Sequence, residues 1–320
     1  MPRADQKLTA HEQAWERAEI LHRDISIGNI IIDIDSLATK RPKGLLCDWD
    51  LSKSKDRIGR TTQTVRSGTW AFMSGPSLAY PLKPPEVSDD LESIVNLMYW
   101  NALRFHKRDL SDSKYWNADA KEVGYNDRLA RFVWKFFLDD EKYQSTQGAL
   151  WIGGETKFYR YSKPKLPFRL AKKDMFKLLL EDLHQLCYKH YRSLDEDELE
   201  KYLPPAQTEE PSPEASPSPE AGPLMERQLI RVTRSPPPSE LVSDPLANHA
   251  QLKVVLSSFV ENRQGWSAND KTPDQFENLP DMIVVPDKQE SFMFGKRKTR
   301  EDDDTQEQPN KIRRTQWSRS

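Results

Sequence analysis

Leu21-His22-Arg23-Asp24-Ile25-Ser26-Ile27-Gly28-Asn29-Ile30 is the stretch on which the reading of this chain turns. It sets an acid and an amide, Asp24 and Asn29, five residues apart on one turn. Apolar residues of the kind that are buried flank the pair. Upstream, Ala14, Trp15, Ala18 and Leu21 recur at helical spacing, which predicts a helix over 10–21. Downstream, Ile30-Ile31-Ile32 predicts a short buried strand, and Pro42 and Gly44 mark a turn. Gly44-Leu45-Leu46-Cys47 is a second short apolar run, ending in Asp48-Trp49-Asp50-Leu51. Two short strands bracketing a turn, each with a polar residue at its mouth, suit a site built at a hairpin.

Further out, residues 52–68 are polar and lack periodicity, which predicts a mobile loop. Leu91, Ile94, Val95, Leu97 and Met98 cover most of the circumference of a helix over 89–103, the pattern of a buried helix. Amphipathic patterns predict two more helices over 127–138 and 171–191. After Leu203 the composition changes. Eleven of the 23 prolines fall between Pro204 and Pro245, among Ser, Glu and Ala, a mixture that buries too little apolar surface to offset chain entropy. Order returns with Leu252, Val255, Leu256, Phe259 and Val260, one stripe on a helix over about 246–262 that docks back on the folded part. Pro245 lies near its expected start. The organisation read from this is a lobe over 10–203, a disordered Pro/Ser-rich insertion over 204–245, a closing helix and loop over 246–280, and a disordered tail over 281–320.

The whole chain has 320 residues and a net charge of −2, so composition gives no sign of a nucleic-acid binder. No apolar run approaches the length of a membrane span, and the polar start carries no secretory signal. Cys47 and Cys187 follow no metal or disulfide spacing and read as reduced thiols of an intracellular protein, nuclear or cytoplasmic.

Asp24 and Asn29 suit phosphoryl transfer, which asks a protein for positioning and charge neutralisation more than for covalent chemistry. Asp24 would accept the proton of an incoming hydroxyl, and Asn29 would hold a Mg²⁺. A second hard oxygen ligand has to come from a neighbouring strand end. Asp48 is preferred there, with Asp50 as its rival in the same tripeptide.

Four pieces in order then resemble the fungal-type protein kinase family: His22-Arg23-Asp24-x-Ser26-x-Gly28-Asn29, Cys47-Asp48-Trp49-Asp50-Leu51, Arg66-Ser67-Gly68-Thr69-Trp70-Ala71-Phe72-Met73-Ser74, and Asp90-Leu91-Glu92-Ser93. The segment from His249 to Lys271 is similar to that family's last helix and following loop. The resemblance implies a mainly α kinase C-lobe, helical with a small β-hairpin, using ATP and Mg²⁺ to phosphorylate Ser or Thr. It implies catalytic roles for Asp24, Ser26 and Asn29, and metal and cofactor binding by Asn29 and Asp48. Gly68 and Thr69 would shape the substrate-binding loop, with Thr69 bonding toward Asp24. His22 and Arg23 would be structural, and Asp90 would tie down the catalytic loop from the start of the central helix.

The departures carry expectations too. Ser26 stands where ordinary protein kinases have Lys, and Ser74-Gly75-Pro76 replaces the usual small-Pro-Glu end of the activation segment. Residues 1–21 hold no Gly-rich phosphate loop and no Lys–Glu pair, so a truncated chain without its N-lobe and with impaired activity is expected, leaving apolar surface exposed on the upper face. The alternatives are a catalytically inactive kinase-like binding scaffold and a small-molecule phosphotransferase. Thr61, Thr62, Thr64 and Ser67, beside Arg57, Arg60 and Arg66, are candidates for loop-ordering phosphorylation. Ser212, Ser216, Ser218 and Ser235 each precede Pro and suit a proline-directed kinase. Expected partners are a protein substrate or protein partner, and a nuclear import receptor reading Lys296–Arg300 and Lys311–Arg314. Neither a membrane nor direct nucleic-acid binding is expected.

Overall fold

The computed structural model describes residues 4–33, 43–58, 66–108, 128–146, 148–171, 174–205, 243–262, 265–266, 271–276 and 279. The expectations for most of 204–245, for Thr61, Thr62 and Thr64, and for the basic clusters at 296–300 and 311–314 fall outside the described residues.

The fold is mainly α, with strands only in two-stranded pairs among the described residues. Helix α1 (Ala4–Ala18) ends three residues before the predicted boundary. Glu19 takes a left-handed backbone (φ 51°) while its N–H bonds the Trp15 carbonyl at 2.8 Å, which closes the helix. Leu21, assigned to the helix by spacing, belongs instead to β1 (Ile20–Leu21). That strand pairs antiparallel with β4 (Lys53–Ser54), which runs into the single turn α2 (Lys55–Ile58). The first part of the expected loop 52–68 is therefore regular structure, because its backbone partners lie some thirty residues upstream and leave no periodicity in the sequence.

The predicted hairpin forms. β2 (Ile30–Asp33) pairs antiparallel with β3 (Lys43–Leu46), placing Ile31 opposite Leu45 and Ile30 opposite Leu46. It is not buried as the apolar run suggests: Ile31, Ile32 and Leu45 are 49%, 45% and 52% exposed. A two-stranded ribbon offers its outer face to whatever covers it, and the described residues leave this one open.

The centre is α4 (Val87–Phe105), as the all-round apolar pattern predicted. Leu91, Val95, Tyr99, Trp100 and Leu103 are at most 1% exposed. Its first turn is closed by Asp89, whose carboxylate accepts from the Glu86 N–H at 2.8 Å. The neighbouring Lys83 ammonium bonds that carboxylate at 2.9 Å; desolvation pushes Asp89 up, but Lys83 together with the Ser74 hydroxyl and the Glu86 N–H holds it below the usual range. Around α4 pack α3 (Gly75–Ala79), α6 (Glu155–Tyr161) and α7 (Met175–Ser193). The helix predicted over 127–138 divides into α5 (Arg128–Val133) and a wider π turn, Trp134–Leu138, that puts Phe136 and Phe137 into the core.

A second hairpin went unread in the sequence: β5 (Asp140–Ser145) with β6 (Gly148–Gly153). Helix α8 (Glu196–Glu200) precedes Pro204 and Pro205, whose carbonyls accept from Tyr143 and Thr146; Pro204 is buried and Pro205 exposed. Helix α9 (Ala250–Glu261) starts five residues after Pro245, not beside it. It lays Leu252, Leu256 and Phe259 against α7 and α1, on the face the stripe predicted.

Candidate active site

The loop at 22–29 is held from below by α4. The Asp90 carboxylate accepts the backbone N–H of His22 at 2.9 Å and that of Arg23 at 3.0 and 3.2 Å. The same carboxylate meets His11 Nε2 of α1 at 2.7 Å, and His11 Nδ1 lies 2.7 Å from Nε2 of His249, next to the first residue of α9. All three side chains are nearly inaccessible, at 3%, 0% and 3%. Burial, with the nearby His11 charge as the second cause, drops His249 to about 4 from the ordinary histidine value. The Asp90 carboxylate can only accept, so His11 Nε2 donates to it. Two helices brought together across the fold thus orient the acid that holds the loop.

Above this anchor the backbone is tightly constrained. Arg23 adopts a left-handed conformation (φ 69°), and its guanidinium donates to the Leu51 carbonyl at 3.0 Å. His22 is buried and bonded on both ring nitrogens: Nδ1 accepts from the Asp24 N–H at 3.2 Å, so Nε2 carries the proton donated to the Cys47 carbonyl at 3.0 Å. Trp49 packs edge-on against the His22 ring, with centroids 4.6 Å apart. Both ring nitrogens are thereby committed to the backbone.

Asp24 is half-buried, and its two carboxylate oxygens face different partners. Oδ1 accepts from the Thr69 N–H at 2.8 Å and the Thr69 hydroxyl at 2.7 Å. Oδ2 accepts from Asn29 Nδ2 at 3.1 Å, and the same amide reaches the Asp24 carbonyl at 2.8 Å. The amide group turned toward Asp24 leaves Asn29 Oδ1 pointing the other way. Ser26 is buried beneath the loop and its carbonyl accepts from the Asn29 N–H at 3.3 Å, while Gly28 is exposed above it. Thr69 reaches Asp24 only because Gly68 allows it. Gly68 has φ 125°, and a Cβ there would sit 2.5 Å from the Arg23 carbonyl oxygen.

Asp48 follows Cys47, whose N–H bonds the Asn29 carbonyl at 2.9 Å. Its carboxylate is exposed on a left-handed backbone (φ 62°), a conformation costly for a non-glycine residue and common at functional sites. Asp50 is exposed on the turn beyond, where Ser52 N–H bonds the Trp49 carbonyl. The sequence-predicted Asp24, Asn29, Thr69 and Asp90 are thus in one bonded cluster, and Asp48 is one residue from it. Among the described residues no group of three or more His, Cys, Asp or Glu side chains forms a metal cage. Asn29 and Asp48 would offer two hard oxygens, a donor set that fits Mg²⁺, which fills its octahedron with phosphate and water.

Arg66 is one of the three arginines beside the candidate phosphorylation sites. It is committed elsewhere: it donates to the carbonyls of Ser77, Leu78 and Trp151 and lies 4.6 Å over the Trp70 ring. Burial lowers it to about 10. It ties the segment after the loop to the β5–β6 hairpin. His11 and Lys157 went unread in the sequence, and His249, Arg66 and Glu92 were quoted there without the partners the fold gives them. None belongs to a spaced motif with its partner, and only the fold brings them together.

Residues 5–102 match the family model described as fungal protein kinase. Comparisons with curated proteins and with solved structures found no match. The matched stretch runs from α1 to near the end of α4 and contains every residue of the Asp24 cluster except His249. Residues 5–102 are thus similar to a fungal protein kinase, and they lie in a mainly α fold.

Proposed function

We propose that the Asp24 cluster transfers the γ-phosphoryl group of ATP, with Mg²⁺, to a Ser or Thr hydroxyl of a protein. The observation that carries this reading is the double fixing of one carboxylate: Thr69 on Oδ1, the Asn29 amide on Oδ2, and the loop beneath pinned by Asp90. Asp24 would orient the incoming hydroxyl and accept its proton. Asn29 Oδ1 and the Asp48 carboxylate would hold the metal. ATP with Mg²⁺, when bound, supplies the phosphoryl group and neutralises charge on the transferring oxygens. Thr69 would serve as the link between the substrate-side segment and the base, favouring a peptide over a small molecule.

The test is phosphotransfer to a Ser/Thr-containing protein by purified full-length chain with ATP and Mg²⁺. Transfer that Asp24→Ala abolishes and EDTA suppresses is expected. Absence of transfer under all metal conditions would sink the reading.

The exposed Ile31, Ile32 and Leu45 favour a second reading, a kinase-like binding scaffold that buries this ribbon against a protein partner. A partner retained unchanged by Asp48→Ala, in a chain without transferase activity, would select it. The basic clusters Lys296–Arg300 and Lys311–Arg314 support nuclear import. Loss of nuclear accumulation when both are replaced by Ala is the corresponding check. Among the described residues, no helix is long and apolar enough to cross a membrane.

A further inference from the structure

After Thr69 the chain turns its carbonyls inward. Trp70–Phe72 is one tight 3-10 turn, with Phe72 N–H on the Thr69 carbonyl and Met73 N–H on the Trp70 carbonyl. The carbonyls of Ala71, Phe72 and Met73 are left without backbone partners in that turn. Three carbonyls pointed into an apolar core would each cost about 1–3 kcal/mol if unsatisfied.

They are satisfied by side chains from α4 and α6. Lys157 Nζ donates to the Ala71 carbonyl at 3.1 Å and to the Met73 carbonyl. Asn96 Nδ2 donates to the carbonyls of Phe72 and Met73, both at 3.2 Å. The Gly75 N–H donates to Glu92 Oε1 at 3.0 Å, and the Tyr191 hydroxyl of α7 donates to Glu92 Oε2 at 2.9 Å. The Tyr161 hydroxyl holds Asn96 from behind at 2.8 Å. Lys157, Glu92, Asn96 and Tyr161 are 0% exposed, and Tyr191 is 1%.

A wholly buried lysine is rare, since an ammonium in the core is costly without compensation. Here the compensation is specific. Two carbonyl oxygens accept from it, the Phe136 ring face lies 5.8 Å away, and Glu92 supplies the opposite charge. Burial still pulls the lysine down to about 7 against the attraction of Glu92, and burial pushes Glu92 up. Gly75 is part of the same fit: a Cβ there would collide with the Tyr191 hydroxyl and meet Lys157 Cβ at 3.2 Å.

We propose that Lys157 and Glu92 are positioning residues for the segment Thr69–Gly75, fixing its backbone from within the core so that Thr69 stays bonded to Asp24. One end of that segment is on the base and the other on this buried pair. Movement of Ala71–Gly75 is therefore transmitted to Asp24 through Thr69. Calling the segment the protein-substrate side rests on the kinase-like reading above; the mechanical coupling does not.

The test is amide hydrogen exchange of the full chain, wild type against Lys157→Met, Glu92→Gln and the double variant. Lys157→Met keeps length and apolar volume but removes the donor to both carbonyls. Exchange at Thr69, Phe72, Met73 and Gly75 is expected to rise at least tenfold relative to the slow amides of α7. Glu92→Gln keeps one acceptor oxygen for Gly75, removes the charge and puts an amide where Oε2 accepts from Tyr191, so a smaller rise at the same amides is expected. In the double variant the stranded carboxylate is gone, and the rise is expected to fall short of the product of the two single effects. Should Lys157→Met fail to fold, Glu92→Gln decides alone. Unchanged exchange at 69–75, or a rise of equal factor in α7, overturns the proposal. Where the wild type phosphorylates protein, Glu92→Gln should raise KM for the protein and leave KM for ATP unchanged. A wild type without transferase activity defeats the kinase reading and leaves the exchange result to stand or fall by itself.

Discussion

Replacing Asp90 by Asn tests the anchor under the candidate active site. The carboxylate of Asp90 receives three donors: the N–H groups of His22 and Arg23 and Nε2 of His11, at 2.7–3.2 Å. At 3% exposure no water replaces a lost partner. Bonds to a charged acceptor contribute about 1.5–3 kcal/mol each. Asn retains one acceptor oxygen and places an amide where the other stood, so one or two of these bonds are lost. The expected destabilisation is ~2–4 kcal/mol. It is directional as well as energetic, because the N–H groups that go unpaired are the two immediately before Asp24. Urea unfolding of wild type and Asp90→Asn gives the free-energy difference. Amide exchange at His22 and Arg23, referenced to α7, gives its location. A loss under about 1 kcal/mol together with unchanged exchange at both amides would refute the anchoring argument, since a buried carboxylate that shares three donors cannot be so cheaply neutralised.

Gly68→Ala is expected to cost at least 2–3 kcal/mol in urea unfolding, from left-handed strain and from a Cβ 2.5 Å from the Arg23 carbonyl oxygen; a change under ~0.5 kcal/mol would mean the Thr69–Asp24 contact is not held by this close approach. The depressed His249 makes stability depend on pH. Its folded value is about 4, so the unfolded chain binds more protons from roughly 6.5 down to 4, and this contribution is present above 6.5 and lost as pH falls through that window. The loss is bounded at about 3 kcal/mol by 1.36 kcal/mol per unit, and His249→Phe should flatten the pH slope there; identical slopes would exclude His249 as its source. Leu256→Ala, at 1% exposure in α9, should cost ~2–5 kcal/mol, and Val254→Ala, at 66%, under ~0.5 kcal/mol. Equal effects would show that α9 does not dock through the predicted face.

What was legible beforehand follows from the range of the interactions involved. The hairpin β2–β3 and the all-round apolar α4 could be read because their determinants lie within one element or one turn. The stripe on α9 predicted the docked face, but not the start of the helix, since Pro245 is used in the packed approach before it. There Asp244 accepts from the Leu246 N–H at 2.8 Å and pairs with His190. The β1–β4 pairing hid in a polar stretch because its strands are two residues long and their partners distant. Ile31, Ile32 and Leu45 read as core by composition alone; exposure belongs to the surroundings of a strand, not to the strand.

By itself the sequence determined the chemistry available at 22–29, the order of the motifs and the helical character of the lobe, because spacing along a chain dictates which side chains share a turn or a face. Only the tertiary structure decided how Asp24 is aimed. His11 and Asp90 are 79 residues apart, His11 and His249 are 238 apart, and Lys157 reaches back 86 residues to the Ala71 carbonyl. Contacts between groups so far apart carry no local signature. They arise only when several helices pack on α4, where burial makes each unsatisfied polar group costly and so favours the arrangement that pairs these groups.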